Sequence, residues 1–380
     1  MAAATTSTSS KIARYVFKAA RGRGGWYGPH MAAASRAIAE RIPLVDLILE
    51  VRDATIPLSS ECEQLRNYPP SSSSSSSTKR IIVLNKVDLA SRANTKDWIN
   101  YFNRRNYISY GVNAHNKNNV KEFLNFLQAR VRELKKTDHS SHATTIMLLG
   151  IPNVGKSALA NSLHQIGRIS AVEKGKLKHA IVSPYPGETK DINSLKIGSH
   201  PNIYLLDTPG ILPPQILDVD VYAKLALTGV IRYCMVGEKE LARYVLSVIN
   251  LSDEYEKWGK LSTYEDERSS LDLIAESSSG PALEIKQKKQ YPTDHTQDFI
   301  VNDVRRTLFH LISCSVGHLE REEDMVELIE AQFAGLRIAF RVTVEGDHAR
   351  DKVAAKLLNL YRTGRLGHYT LDRVPTHYVL

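Results

Sequence analysis

The chain has 380 residues, of which 42% are hydrophobic and 24% charged, and its formal net charge is +9. These values are typical of a globular protein of one or two domains, and no apolar run approaches the ~20 residues that span a bilayer, so no stable membrane insertion is expected. The cysteines Cys62, Cys234 and Cys314 form no CxxC pair, which argues against a disulfide framework and a cysteine-bound zinc site.

The first 25 residues, MAAATTSTSSKIARYVFKAARGRGG, are rich in Ala, Ser and Thr and contain no acidic residue. Basic residues recur there at helical spacing and would line one side of a helix: Lys11, Arg14, Lys18 and Arg21. The pattern predicts an organellar transit peptide over residues 1–25, and a disordered basic arm is the alternative. The amphipathic helix favours the mitochondrial matrix, while the Ser/Thr-rich start leaves a plastid open.

From residue 26 to 235, short apolar strands alternate with amphipathic helices. The strand candidates are LVDLILEV, RIIVLN, YISYGVN, TTIMLLG and NIYLLD, and helix candidates such as TKDWINYFNRR, VKEFLNFLQARVRELKK and KSALANSLHQI lie between them. This alternation predicts an α/β domain with a parallel sheet covered by helices on both faces. Seven consecutive serines, residues 71–77, predict a flexible surface insertion over residues 67–79.

Beyond about residue 230 helical periodicity dominates. This change predicts a smaller, mainly helical C-terminal domain over residues 236–380, with a loop insertion at 265–297. Residues 350–380 hold six Lys or Arg against two Asp. Composition alone indicates that this stretch is a charged helix exposed to solvent.

The segment GIPNVGKS, residues 150–157, has the pattern G-x-x-x-x-G-K-S of a phosphate-binding loop. Its glycines let the backbone curl around anionic oxygens at the start of a helix, whose dipole adds to the attraction. Lys156 is expected to reach the β- and γ-phosphates and to act in catalysis, and Ser157 to ligate Mg²⁺. The predicted nucleotide contacts of this stretch are Asn153, Val154, Gly155, Lys156, Ser157 and Ala158.

A second motif, LLDTPGI, follows the strand candidate NIYLLD. Asp207 at the strand end is predicted to hold Mg²⁺ through a water molecule, and Gly210 to donate a backbone N–H to the γ-phosphate. Thr189 in YPGETK is predicted to complete the metal site when the γ-phosphate is present. A simple type II turn at residues 186–187 is an equal alternative for that segment.

The segment NKVD, residues 85–88, has the pattern of a guanine-binding motif. Asp88 can accept hydrogen bonds from two guanine N–H groups that adenine lacks, which favours GTP and GDP and disfavours an ATP-using enzyme. Asn85 is expected to brace the phosphate loop and Lys86 to lie along the base. The predicted base-site residues are Asn85, Lys86, Val87, Asp88 and, through backbone N–H groups toward the guanine oxygen, Asn113 and Ala114.

The order of the two motifs is reversed with respect to an ordinary GTPase, in which the phosphate loop precedes the base motif. If the two ends of the chain were joined in a circle, the motifs would follow one another in the usual order. Only the position of the chain termini differs. Each motif occurs once, so two nucleotide domains are excluded. The sequence therefore predicts one site in one circularly permuted domain, with TDHSSHATT bridging the former termini.

On these motifs together, the chain resembles the circularly permuted GTPases of the ribosome biogenesis GTPase A family, and most of all their mitochondrial members in plants. The resemblance covers roughly residues 26–240 and the segment KVAAKLLNLYRTGRLGHYTLD. It implies a monomeric GTPase that binds an immature organellar large ribosomal subunit and couples GTP hydrolysis to its release. It also favours ribosomal RNA contacts for the basic C-terminal stretch.

The resemblance carries over to single residues with some departures. The family motif DAR appears as Asp53-Ala54-Thr55, without its arginine, and the N-terminal motif appears as WYGPHM, with its Pro and Gly exchanged. The histidine of that motif is a proposed catalytic group in relatives, which would be His30 here; a surface or capping histidine is the alternative. Similarity also implies that Asn153 helps to bind K⁺.

Ile211 stands where many GTPases place a water-positioning glutamine. Since isoleucine cannot orient water, intrinsic hydrolysis is expected to be slow and to be stimulated by the ribosome. A GTP-gated scaffold that binds RNA or ribosomes with little need for hydrolysis is the alternative function.

Overall fold

The computed structural model describes residues 26–66, 79–138, 143–170, 192–232, 236–259, 295–315, 317–319, 321–344 and 346–375. The described residues divide into two compact units, of which one contains those of 26–232 with 368–375 and the other contains those of 236–367. The predicted transit peptide and Ser-rich insertion lie outside the described residues, apart from residue 79. So does the predicted loop at 265–297, except for its last three residues, which begin a helix.

The first unit, called the α/β unit, is built on a six-stranded sheet with strand order β3-β2-β1-β4-β6-β5. The strands are β1 (Leu47–Asp53), β2 (Arg80–Asn85), β3 (Ile108–Val112), β4 (Thr144–Leu149), β5 (Asn193–Ser199) and β6 (Asn202–Asp207). The helices are α1 (Pro29–Arg41), α2 (Arg92–Arg104), α3 (Lys117–Asp138), α4 (Lys156–Ser170) and α5 (Val219–Leu227), with 3₁₀ turns at Ile42–Leu44 and Glu63–Leu65.

Five of the strands run parallel, and β5 pairs antiparallel with β6 at one edge of the sheet. The sequence analysis expected a parallel sheet and did not include β5. The first residues of β5, Asn193 and Ser194, are exposed, so this edge strand lacks the continuous apolar run of a central strand. A short turn at residues 200–201 joins β5 to β6, which makes an antiparallel pair the available geometry.

Strands β1 and β2 are buried along their whole length, as their apolar sequences predict. A charged group nevertheless lies inside β1, because Glu50 is fully buried and pairs with Arg52 at 3.0 Å and Arg80 at 2.6 Å. Burial opposes the ionised form of Glu50, but the two guanidinium groups outweigh it and hold the pKa of that carboxyl below its usual value. The charge is therefore retained as part of a paired network.

The second unit, called the helical unit, contains α6 (Glu238–Asn250), a 3₁₀ segment at Asp253–Trp258, α7 (His295–Ser313), α8 (Glu322–Ala339) and α9 (Asp347–Arg362). Helix α9 has an apolar face, since Val353, Leu357 and Leu358 are buried. Asn250 of α6 and Gln332 of α8 are also buried and exchange two side-chain hydrogen bonds, of 3.1 and 2.6 Å. Among the described helices, none is long and apolar enough to cross a membrane.

The end of the chain returns to the α/β unit. Residues 368–375 group with that unit, whereas the division drawn from the sequence placed everything after residue 235 in the helical region. We refer to the described part of this segment, residues 368–375, as the C-terminal tail. Its last apolar residue, Val374, packs on a buried cluster that includes Trp98 and Phe102 of α2.

Candidate nucleotide-binding site

The motifs found in the sequence follow the carboxyl ends of neighbouring parallel strands. NKVD follows β2, residues 113–114 follow β3, the phosphate loop follows β4 and DTPG follows β6. Because parallel strands present their carboxyl ends at one edge of a sheet, the reversed chain order still gathers the motifs at that edge. The edge is therefore the candidate ligand site.

The phosphate loop has a strained backbone that depends on its glycines. Gly155 has φ +91°, and a Cβ on it would lie 2.3 Å from Nδ2 of Asn85. Gly150 has φ +154°, and a Cβ there would lie 2.4 Å from the backbone oxygen of Val51. A side chain at either position is excluded, because it would collide with the end of a neighbouring strand.

Asn85 joins the base motif to the phosphate motif. Its side-chain amide donates to the backbone oxygen of Val154 at 2.9 Å, and its Oδ1 accepts from the backbone N–H of Ala114 at 3.1 Å. Ser162 on α4 donates to the oxygen of Ala114 at 2.8 Å. The loops after β2, β3 and β4 are thus held in one hydrogen-bonded assembly, as expected of Asn85.

The backbone N–H groups after β3, which were expected to face the guanine oxygen, have hydrogen-bond partners within the protein. The N–H of Asn113 donates to Oδ1 of Asn119 at 2.6 Å, and the N–H of Ala114 donates to Asn85. These hydrogen bonds stabilise the loop itself. The contact of both groups with the guanine oxygen stays a prediction.

Lys156 lies at the start of α4 and is 6% exposed. Its ammonium group donates to the backbone oxygens of Gly150 at 3.1 Å and Ile151 at 2.9 Å, so the side chain curls over the phosphate loop. Burial lowers the pKa of Lys156 to about 8, and the negative charge of Asp207 opposes this shift. A cation held in this way is poised to interact with phosphate oxygens.

Ser157 and Asp207 form the candidate metal site. Ser157 Oγ donates to Asp207 Oδ2 at 2.7 Å, and Asp207 is fully buried. Within the described residues, Asp207 Oδ1 has no hydrogen-bond partner. Burial raises the pKa of Asp207, against the effects of Ser157 and Lys156. A hydroxyl beside a carboxylate with an unpaired oxygen fits Mg²⁺, which prefers oxygen ligands and retains water.

The DTPG loop touches the phosphate loop. A Cβ on Gly210 would lie 2.5 Å from the backbone of Pro152, so only glycine allows this approach. Thr208 anchors the loop by donating to the oxygen of Leu148 at 2.6 Å. Ile211 is 9% exposed and packs in an apolar cluster with Ile38 and other residues, which directs its side chain into the core.

Lys86 is held by a carboxylate that the sequence analysis did not assign to the site. Lys86 has φ +63°, and its ammonium group lies 2.7 Å from Asp53 Oδ2. Thr55, which replaces the arginine of the family motif, donates to Asp53 Oδ1 through its N–H at 2.9 Å and its hydroxyl at 2.6 Å. The position of Asp53 at the end of β1, on the same sheet edge, was the available signal.

Val87 and Asp88 complete the base loop. The methyl group of Val87 lies 3.2 Å from where a Cβ on Gly111 would be, and the side chain packs against the cluster under α2. Asp88 is exposed, on a turn closed by the N–H of Leu89 to the oxygen of Lys86 at 3.0 Å. An exposed carboxylate next to a supported lysine is accessible to a ligand.

The histidine candidate lies in an anchored segment. His30 is exposed at the start of α1. On one side of it, Trp26 Nε1 donates to the oxygen of Pro213 at 2.9 Å, and on the other Met31 Sδ accepts from the N–H of Leu212 at 3.4 Å. The WYGPHM segment therefore lies against the chain that directly follows the DTPG loop.

Three further residues predicted from the sequence remain. Asn153 has φ +59°, and its side-chain amide lies 3.3 Å from the oxygens of Thr228 and Gly229 at the end of α5. Ala158 follows Ser157 in the first turn of α4. Thr189 lies outside the described residues.

Comparison with known proteins places these features in a family. Residues 145–277 match the model of the 50S ribosome-binding GTPases. The chain is 60% identical to DAR GTPase 2, mitochondrial, of Arabidopsis thaliana, over 97% of each chain. It is 37% identical to Short integuments 2, mitochondrial, of the same plant, over 93% of this chain and 90% of that protein. With ribosome biogenesis GTPase A of Bacillus licheniformis it shares 30% identity, over 79% of this chain and 99% of that protein.

The reversed motif order, the shared sheet edge and these similarities lead to one conclusion. The chain belongs to the ribosome biogenesis GTPase A family of circularly permuted GTPases, in the branch that contains the plant DAR GTPases.

Proposed function

We propose that this protein is a GTPase that binds GTP and Mg²⁺ at the carboxyl edge of its sheet and assists assembly of the mitochondrial large ribosomal subunit. Membership of the family makes the chain a GTP hydrolase with a role in ribosome assembly. The observation that carries the nucleotide site is the bridge of Asn85 between Val154 and Ala114, because it joins the base motif directly to the phosphate loop.

Guanine selection is assigned to Asp88 and Lys86. Asp88 accepts hydrogen bonds from guanine, and the stem of Lys86 lies along the base while Asp53 holds its ammonium group at 2.7 Å. Adenine would leave the carboxylate unpaired, which is the basis of discrimination. Val87 supports this loop from below, and Asn85, Asn113 and Ala114 fix its position relative to the phosphate loop.

Binding of the phosphates is assigned to the loop from Asn153 to Ala158. Lys156 would exchange its two backbone oxygen contacts for phosphate oxygens of higher negative charge. Mg²⁺ would be held by the Ser157 hydroxyl and, through water, by Asp207, with Thr189 as a further proposed ligand. When bound, the ion supplies positive charge that offsets the charge developing on the transferred phosphoryl group. Gly210 is proposed to contribute its backbone N–H there.

Hydrolysis is proposed to need a group beyond the phosphate loop. Ile211 is buried in an apolar cluster and has no group that could orient water. His30 is proposed for that role because Trp26 and Met31 hold its segment against residues 212–213. We also propose that K⁺ binds near Asn153 and adds positive charge at the phosphates.

The ribosomal and mitochondrial parts of the proposal have separate support. Two relatives carry mitochondrial names, and the first 25 residues have the composition of a transit peptide. The basic residues of 350–373 are proposed to contact phosphates of ribosomal RNA, in a salt-dependent way. The protein is proposed to act as a monomer in the matrix.

The proposed function is tested by GTP turnover with and without isolated mitochondrial large subunits. We expect slow turnover by the protein alone and a marked increase with subunits. The protein should co-sediment with the subunits in the presence of a non-hydrolysable GTP analogue and separate from them in the presence of GDP. Equal GTP turnover with and without subunits would contradict the ribosome-stimulated mechanism.

A variant of His30 separates hydrolysis from binding. The change His30→Ala should remove the stimulation while subunit binding in the GTP analogue is retained. If assembly of subunits proceeds normally with this variant, the protein acts as a GTP-gated scaffold.

A further inference from the structure

The C-terminal tail belongs to the α/β unit, although the whole helical unit separates it from the rest of that unit in sequence. The residues of the tail that bond to the loops after β1 and β2 are Tyr369, Thr370, Leu371 and Asp372. These two loops carry Asp53, Lys86 and Asp88, the guanine end of the proposed site.

The tail first pairs with the loop after β2. The N–H of Tyr369 donates to the backbone oxygen of Leu89 at 3.2 Å, and the hydroxyl of Thr370 accepts from the N–H of Ser91 at 3.2 Å. Leu89 is the residue next to Asp88. The tail thus pins the chain immediately after the proposed guanine-binding carboxylate.

The tail then pairs with the loop after β1. The N–H of Leu371 donates to the oxygen of Thr55 at 2.7 Å. The carboxylate of Asp372 accepts from the N–H groups of Leu58 at 2.8 Å and Ser59 at 2.7 Å, and from the hydroxyl of Ser59 at 2.7 Å. This loop begins at Asp53, the partner of Lys86, so the tail supports both sides of the base loop.

Asp372 fixes the tail in one position. It is 4% exposed, and its charge is balanced by Lys224 of α5 at 3.0 Å. The indole N–H of Trp98 donates to its backbone oxygen at 3.4 Å. A buried carboxylate is stable only while its donors are in place, so the tail cannot shift without breaking several hydrogen bonds at once.

We propose that the C-terminal tail is a positioning element of the guanine site, in which Asp372 holds the loops that carry Lys86 and Asp88 without itself touching the nucleotide. This inference rests on the proposed function, because it assigns a role in the same site. It predicts that residues at the far end of the chain set the selectivity for guanine. A tail that only stabilises the fold would change stability without changing selectivity.

The test compares GDP with inosine diphosphate, which lacks the exocyclic amino group that Asp88 is proposed to bind. Dissociation constants are measured by calorimetry on the full chain and on Asp372→Asn. For the variant we expect GDP binding to weaken about tenfold, as for loss of a charge-assisted hydrogen bond. Binding of inosine diphosphate should change much less, so the preference for GDP falls.

Two further variants keep the test decisive. Asp220→Asn removes the other carboxylate paired with Lys224, at 2.6 Å, and leaves the tail contacts intact, so it should preserve the preference for GDP. Thr370→Val removes only the acceptor of the Ser91 N–H and should lower the preference about threefold. This milder variant decides the question if Asp372→Asn does not fold.

The outcomes separate the two proposals. If the unaltered protein binds both nucleotides equally, the assignment of Asp88 to guanine fails, and with it the proposed function. If the unaltered protein prefers GDP but the tail variants keep the same preference while melting at lower temperature, the tail has only a stabilising role. That result would overturn the inference and leave the proposed function standing.

Discussion

The phosphate end and the guanine end of the proposed site are built in different ways. At the phosphate end, Lys156 and Ser157 lie within one loop and one helix turn, and their contacts include residues of the same loop. At the guanine end, Lys86 depends on Asp53, 33 positions away, and the loop after Asp88 depends on the tail near residue 370. A local motif therefore supplies the lysine and serine of the phosphate end, to which Asp207 and Asn85 add long-range contacts, whereas both supports of the guanine end come from distant parts of the chain.

The largest expected effect comes from Asp88 itself. The change Asp88→Asn replaces an acceptor of two guanine hydrogen bonds, so GDP affinity should fall by up to about 10⁴-fold. Xanthosine diphosphate, which carries an oxygen in place of the amino group, should bind the variant better than GDP does. Calorimetric titration with both nucleotides checks this, and unchanged GDP affinity would place guanine recognition elsewhere.

At the phosphate end, Lys156→Ala removes a cation that stabilises the transferred phosphoryl group. We expect kcat to fall by about 10²–10³-fold, as for loss of one transition-state donor. The preference for GDP over inosine diphosphate should remain, because the base loop is untouched. Single-turnover hydrolysis and competition binding measure the two quantities, and a loss of preference would show that the two ends are not independent.

Thr55 offers a smaller change at the guanine end. Thr55→Val removes the hydroxyl that donates to Asp53 at 2.6 Å and leaves the N–H bond at 2.9 Å, so Asp53 and its partner Lys86 are held less firmly. We expect GDP to bind about three- to tenfold more weakly. Thr55→Ser is the matched control, since it keeps the hydroxyl and should bind as the unaltered protein does. Equal affinity of the Val and Ser variants would exclude this support.

The smallest effect is a pH dependence at the phosphate end. Burial lowers the pKa of Lys156 to about 8, so the ligand-free protein loses this positive charge as pH rises through that value. Phosphate groups favour the protonated lysine and raise its pKa in the complex. GDP binding should therefore take up about half a proton near pH 8, and affinity should fall about threefold per pH unit there. Calorimetry in buffers of different ionisation enthalpy detects the uptake, and Asp220→Asn should show the same slope.

The two ends also differ in how far the sequence predicted them. The glycines of the phosphate loop, the strand before it and the helix after it follow from eight consecutive residues, and the structure has each of them. The brace formed by Asn85 was also predicted and is present. The hydrogen bonds of the Asn113 and Ala114 N–H groups to Asn119 and Asn85 were not predicted, because they depend on how the folded loops lie in space.

The fold shows the same contrast. The alternating apolar and amphipathic segments predicted five parallel strands, and the structure contains them at those places. The edge strand β5 was not predicted, since exposed polar residues interrupt its pattern. The tail was placed in the helical region because it continues directly from α9, and nothing near Asp372 in sequence indicates that it is buried against Leu58 and Ser59.

The sequence by itself determined the chemistry of this protein. The loop glycines, the lysine and serine after them, the strand-end aspartate and the NKVD motif are local patterns that can be recognised in the sequence alone. The tertiary structure alone decided how the guanine end is supported. Asp53 is far in sequence from Lys86, and Asp372 is far from Leu58, so these contacts exist only after the sheet has brought the ends of its strands to one edge.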